Sequence, residues 1–105
     1  MQAVATIGTC DISGSGAVDV GNSSSYQSNS TPSANDAVYA WTVEQGGSAV
    51  ATSKAEVTSG ATAANCTVNW KQAGSYDVKC TITSNTASDS PQSDTQAVTC
   101  SVVNT

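Results

Sequence analysis

From Gly74 to Ser84 the chain reads GSYDVKCTITS, and this alternation constrains the fold more than any other stretch. Tyr76, Val78, Cys80 and Ile82 take every second place, with Asp77, Lys79, Thr81 and Thr83 between them. Successive side chains of a strand point to opposite faces, so this segment buries one face and wets the other. The same period recurs along the chain, broken by small polar turns. It predicts strands over 2–12, 17–21 and 22–28, the last with Tyr26 inward. A strand over 37–45 follows, with Tyr39, Trp41 and Val43 on one face, stopped by Gly46-Gly47. A short strand at 48–53 and a weaker one in AEVTSG precede AANCTVNW, which aligns Cys66, Val68 and Trp70. KQAG turns into the Tyr76 strand, and TQAVTCSVV closes the chain with Val98, Cys100 and Val102 facing one way. The segments NSTPSAND (29–36, with Pro32) and SNTASDSPQSD (84–94, with Pro91) read as loops, rich in turn-forming residues.

No segment carries a helical stripe, and abundant Ser and Thr favour strands and turns over helices. With 105 residues, the length suits one domain spanning 1–105. Its core must come from few large side chains, because there are two Trp, three Tyr, one Met and no Phe. The expected core set is Tyr39, Trp41, Val43, Val68, Tyr76, Val78, Ile82 and Val98, with Trp41 reaching Tyr76 from the facing sheet. Seven to nine short strands with frequent turns give an all-β fold, a two-sheet antiparallel β-sandwich.

Charge narrows the function classes. Eight acids against three lysines leave a net charge of −5, with no Arg and no His. Nucleic acid is not an expected partner, since no basic patch exists to neutralise phosphates, and an anionic membrane surface would repel the chain. The first residues, MQAVATIGTC, carry no basic n-region, long apolar run or cleavage site. The expectation is therefore no signal peptide, synthesis in the cytoplasm, and no membrane span.

Chemistry-bearing motifs are sparse. A thiol nucleophile needs a base nearby, and His is absent. The acids are scattered, and GxSxG, GxxxxGK and HExxH patterns do not occur. The expectation is no catalytic, metal or cofactor site, and no enzyme. Cys10, Cys66, Cys80 and Cys100 remain. They either serve as small buried hydrophobes with reduced sulfurs or form one or two disulfides. If the 84–94 loop closes a hairpin in which opposite residue numbers sum to about 180, Cys80 lies opposite Cys100. Cys66 with Cys80 across the core is the other pair, leaving Cys10 with Cys100.

VYAWTVEQGG, TVNWKQAGSYDVKCTIT and DTQAVTCSVV, with ISGSGAVDVGNSSSYQS before them, resemble immunoglobulin-like domains of the PKD and bacterial Ig type. The resemblance runs from about Ile12 to Val103. Tyr76 stands four residues before Cys80, in a Gly-x-Tyr lead-in similar to PKD-like domains, and the second strand, SSSYQS, offers Cys80 no cysteine. Short free-standing domains of this kind look like the Ig-like structural proteins of tailed bacteriophages. That resemblance implies a non-enzymatic virion protein, a decoration protein on the capsid's outer surface, with the major capsid protein or another virion protein as partner. The alternative it leaves is a module binding surface glycans, from a tail fibre, adhesin or secreted protein. Candidate contacts are Val4 and Ile7 in an N-terminal strand (1–12) and Pro32 and Pro91 in the two loops.

Overall fold

The computed structural model describes residues 5–8, 10–30 and 32–102. Nine strands form two sheets: β1 (Ile12–Gly14), β2 (Ala17–Asp19), β3 (Ser23–Ser28), β4 (Val38–Gln45), β5 (Ser48–Ala49), β6 (Ala55–Ser59), β7 (Asn65–Trp70), β8 (Gly74–Thr83) and β9 (Gln92–Ser101). One sheet has the order β1-β3-β7-β6 and the other β2-β9-β8-β4-β5. The fold is a β-sandwich. With β2 and β5 set aside, first, second, fifth and fourth strands face third, sixth and seventh, an order consistent with the immunoglobulin-like arrangement.

All pairings are antiparallel except one. The chain crosses from the first sheet to the second at Ser15–Gly16 without reversing, so β2 runs parallel to β9, with Val18 beside Cys100. Gly46 and Gly47 explain the β4–β5 hairpin: both have positive φ (64° and 87°), the backbone of a two-residue turn whose twist matches its strands. At the β6–β7 turn Gly60 has φ +73°, and a Cβ there would run into the carbonyl of Asn65.

The alternating positions close over one core. Val68, Trp70, Val78, Cys80 and Ile82 are fully buried, and Trp41, Val43, Tyr76 and Val98 are nearly so. Trp41 lies beside Cys80 in the same sheet, not across from Tyr76 as the sequence suggests. The aromatic that reaches Tyr76 from the facing sheet is Trp70, with ring centroids 5.5 Å apart. Tyr26 meets Trp70 edge-on at 6.4 Å. Burying a side chain of this size contributes about 2–3 kcal/mol, so in a chain this poor in large side chains the trio dominates the core. Tyr39 shares the Trp41 face but is only half-buried near the strand's start.

Three expected elements differ. Of the strand foreseen over 2–12, the described residues before Ile12 form no ladder, and β1 begins only at Ile12. Gly8 takes a positive φ of 81° there, and the amides of Ile7 and Gly8 bond to a side chain instead of a strand. The strand foreseen over 48–53 stops at Ala49. The β8–β9 register pairs Cys80 with Asp94 and Gly74 with Cys100, six residues from the expected alignment. A shift by an even number leaves every side chain on its own face, so the alternation cannot distinguish the two registers. The observed one is supported at the polar half of β9. Asp94 Oδ2 accepts the Ile12 amide at 2.9 Å, and Gln92 Nε2 donates to the Asp89 carbonyl at 2.7 Å.

Candidate interaction end of the sandwich

The β3–β4 loop (29–37), the β8–β9 loop (84–91) and the segment 5–11 meet at one end of the sandwich. The pairing of Val38 with Thr83 brings the two loops together. Asp36 then ties them: its carboxylate accepts the Asn85 amide at 2.9 Å, the Thr86 hydroxyl at 2.9 Å and the Ser84 hydroxyl. Ser84 Oγ in turn accepts the amides of Thr86 and Ala87, at 3.1 and 3.0 Å. These bonds hold the Asp36 carboxyl below the usual carboxylate range, the Ser84 hydroxyl contributing most.

The N-terminal segment threads between the loops. Thr6 exchanges bonds with the β3–β4 loop: its amide donates to Ser33 Oγ at 3.0 Å, and its carbonyl accepts the Ser33 amide at 2.9 Å. On the other side the Ser88 amide donates to the Ala5 carbonyl at 3.1 Å. Asp89 Oδ1 accepts the Ile7 amide at 2.7 Å and Oδ2 the Gly8 amide at 2.9 Å. The Ile7 bond, foremost, lowers the Asp89 carboxyl's pKa. The result is a polar end whose three chain segments are mutually fixed. Asn35, Asn85, Thr86 and Ser88 stand exposed on it.

The candidate contacts divide. Pro91 is exposed, following a cis peptide bond, and Pro32 is half-buried in the β3–β4 loop. Ile7 is 1% exposed and belongs to the core, so its side chain is a plug under the loops and is not offered to a partner. Val4 lies outside the described residues. Nothing local marks Asp36 or Asp89, whose partners lie 48 to 50 and 81 to 82 residues away in sequence. Abundant Asp, Asn and Ser in the loops is the one available signal.

All four cysteines are free and buried. Cys80 and Cys100 cannot bridge, since six residues of register put them roughly 20 Å apart along the sheet. Cys10 lies against Cys80 and not Cys100: its thiol donates to the Cys80 carbonyl at 3.7 Å. Burial pushes the Cys66 thiol up to about 11, and burial with neighbouring Cys10 and Cys66 pushes Cys80 up to about 12. Cys100 is raised by burial and then by Asp19. In the closed fold the Cys66, Cys80 and Cys100 thiols are protonated and unreactive at neutral pH.

Among the described residues no three His, Cys, Asp or Glu side chains are grouped to hold a metal ion. A depression of about 350 Å³ on the outer face of the four-stranded sheet is lined by Ser13, Gly14, Ser25, Tyr26, Gln27 and Asn65, with no carboxylate among them. Of the five aromatics, Tyr26, Trp41, Trp70 and Tyr76 are buried, which leaves Tyr39 as the one whose ring is partly open to solvent. The sequence matches no family model and no curated protein.

Proposed function

We propose that this chain is a non-enzymatic binding domain that uses the loop end of the sandwich to attach to a repeating protein surface, as an Ig-like decoration protein of a phage capsid. One observation carries the reading. Asp36 and Asp89 bind three separate chain segments into a single preorganised surface. A surface already ordered before contact loses little conformational entropy on binding. Asn35, Asn85, Thr86 and Ser88, exposed on it, are neutral and polar, which suits a hydrogen-bonded, wet contact. On a shell lattice, weak individual contacts are repeated over many copies. The resemblance of VYAWTVEQGG and GSYDVKCTIT to immunoglobulin-like domains of the PKD and bacterial Ig type, a kind of domain that the Ig-like structural proteins of tailed bacteriophages look like, supports the virion setting, with the major capsid protein or another virion protein as the partner.

Mass spectrometry of purified virus particles from the sample that encodes the chain tests the proposal. Recovery at a copy number comparable to the shell protein supports it, as does loss of attachment when Asn85, Thr86 and Ser88 are replaced together. Absence from particles, combined with retention on a polysaccharide matrix, would replace it with the glycan-binding alternative. That alternative places its weight on Tyr39, the aromatic still available to stack on a sugar ring, so Tyr39→Ala should then abolish retention.

A further inference from the structure

We propose that Cys10 and Cys80 form a latent cross-link between the N-terminal segment and the central strand of the five-stranded sheet, closing as a disulfide when a small-molecule disulfide is present as oxidant. Cys10 belongs to the chain that leads into β1 of one sheet, and Cys80 sits mid-way along β8 of the other. The Cys10 sulfur nevertheless rests 3.7 Å from the Cys80 carbonyl, so the two residues touch across the layers. Both are buried, at 6% and 0% exposure.

Their mobility differs. Cys80 is fixed between Trp41 on one neighbouring strand and Asp94 on the other. Cys66 is equally fixed, opposite Tyr26 in the facing sheet. Cys10 lies outside both ladders, on a segment held by loop contacts such as those from Asp89 and Ser33. Such a segment opens locally at far lower cost than a central strand. Opening brings Cys10 into solvent and uncovers Cys80, relieving the burial that keeps its thiol protonated.

The chemistry then balances in two exchanges. The Cys10 thiolate attacks one sulfur of the oxidant, forming a mixed disulfide and releasing one small thiol. The Cys80 thiolate attacks the Cys10 sulfur, forming the Cys10–Cys80 bond and releasing the second. Two protein thiols lose their protons and one electron each, and the oxidant is reduced to two thiols that take up the protons.

The three lysines make the outcome readable. Trypsin cuts after Lys54, Lys71 and Lys79, so Cys10 and Cys66 fall on separate fragments, 1–54 and 55–71, and Cys80 becomes the first residue of 80–105. The full chain is incubated with oxidised glutathione in urea below its unfolding transition, then digested without reductant. The expected product has lost two hydrogens and retains no glutathione. It joins fragment 1–54 to fragment 80–105 through Cys80, assigned by sequencing the cross-linked peptide, and leaves Cys66 alkylatable. Its urea midpoint moves upward and returns on reduction. The Cys66→Ala/Cys100→Ala variant should close the same bond, and its strand-type circular dichroism checks that it folds. A link from Cys66 to Cys80, a link through Cys100, glutathione retained on Cys10, or four free thiols after Cys10 has become alkylatable would each overturn the proposal.

Discussion

The Asp89 carboxylate receives the Ile7 amide on one oxygen at 2.7 Å and the Gly8 amide on the other at 2.9 Å. This one side chain fixes the N-terminal segment to the β8–β9 loop and seats Ile7 in the core. Asp89→Ala removes both acceptors. The expected result is a released segment: amide exchange at Ile7 and Gly8 rises toward that of a fraying terminus, while amides of β8 keep their protection. Asp89→Asn retains one neutral acceptor and should fall between. Unchanged exchange in the alanine variant would mean the segment is held by Ile7 packing alone.

Stability should be bounded by two titrations with a plateau between. Asp36 and Asp89 have lowered pKa values when folded, so their contribution is present above the ordinary aspartate value, near 4, and disappears as pH falls through the folded one. Cys66 and Cys80 are raised to about 11 and about 12, and Tyr26 is raised to about 12 by burial. Their contribution is complete below the unfolded thiol value, near 8.5, and is lost as pH climbs toward the folded ones. No His titrates in between. Urea midpoints should thus stay flat from roughly pH 5 to 8 and decline on both sides. A step near pH 6.5 would contradict this assignment.

Trp41 and Trp70 are expected to be the costliest truncations. Trp41 is 4% exposed, and its Nε1 donates to the Ala63 carbonyl at 2.7 Å, closing the β6–β7 loop over the edge of β4. Trp70 is fully buried between Tyr26 and Tyr76. Each alanine variant should lose about 3–5 kcal/mol in denaturant unfolding. The two differ in chemistry. Trp41→Phe also forfeits a hydrogen bond, whereas Trp70 Nε1 has no partner among the described residues, so Trp70→Phe loses only packing.

The alternation that predicts the sandwich also marks which residues are inside it, because burial on one face imposes period two wherever a strand crosses the core. Trp41, Val43, Val68, Tyr76, Val78, Ile82 and Val98 are all legible that way. The pattern contains no information on how strands slide by an even step. The Cys80–Cys100 alignment fails for that reason, with a polar half of β9 lying opposite the apolar half of β8. Nor does it say which sheet a strand joins, and so Trp41, not Trp70, looks like the neighbour of Tyr76. The loop end was least legible. Its organising contacts are carboxylates binding backbone amides far away in sequence, and Asp36 and Asp89 look locally like any solvated acid in a turn.

Gly14 pairs with Tyr26 across β1 and β3, and a methyl group there would land inside the van der Waals envelope of the Tyr26 ring. The ring is confined by its edge contact with Trp70 and by its hydroxyl, which donates to the Ser15 carbonyl at 2.8 Å. Gly14→Ala must therefore shift a core aromatic, at a cost of about 1–3 kcal/mol. The control is Gly21→Ala, where no atom lies within 4 Å of the added carbon and only the positive φ of 91° resists. An unchanged thermal midpoint in Gly14→Ala would show that the ring yields freely.

Tyr76 opens β8 and folds its hydroxyl back to the Gln72 carbonyl at 2.7 Å, four residues upstream, which fixes the turn out of β7. The geometry is that of the tyrosine corner of immunoglobulin-like sandwiches, reached here with Tyr76 four residues before Cys80. Tyr76→Phe keeps the ring against Trp70 and removes only this bond, so stability should fall by about 1 kcal/mol. Tyr76→Ala also empties the ring's place beside a fully buried Trp70 and should cost about 3–5 kcal/mol. The ratio between the two separates the corner's contribution from the core's. If the phenylalanine variant lost as much as the alanine one, the hydroxyl bond would be organising the whole β7–β8 connection, with local amide exchange at Lys71 and Gln72 rising in step.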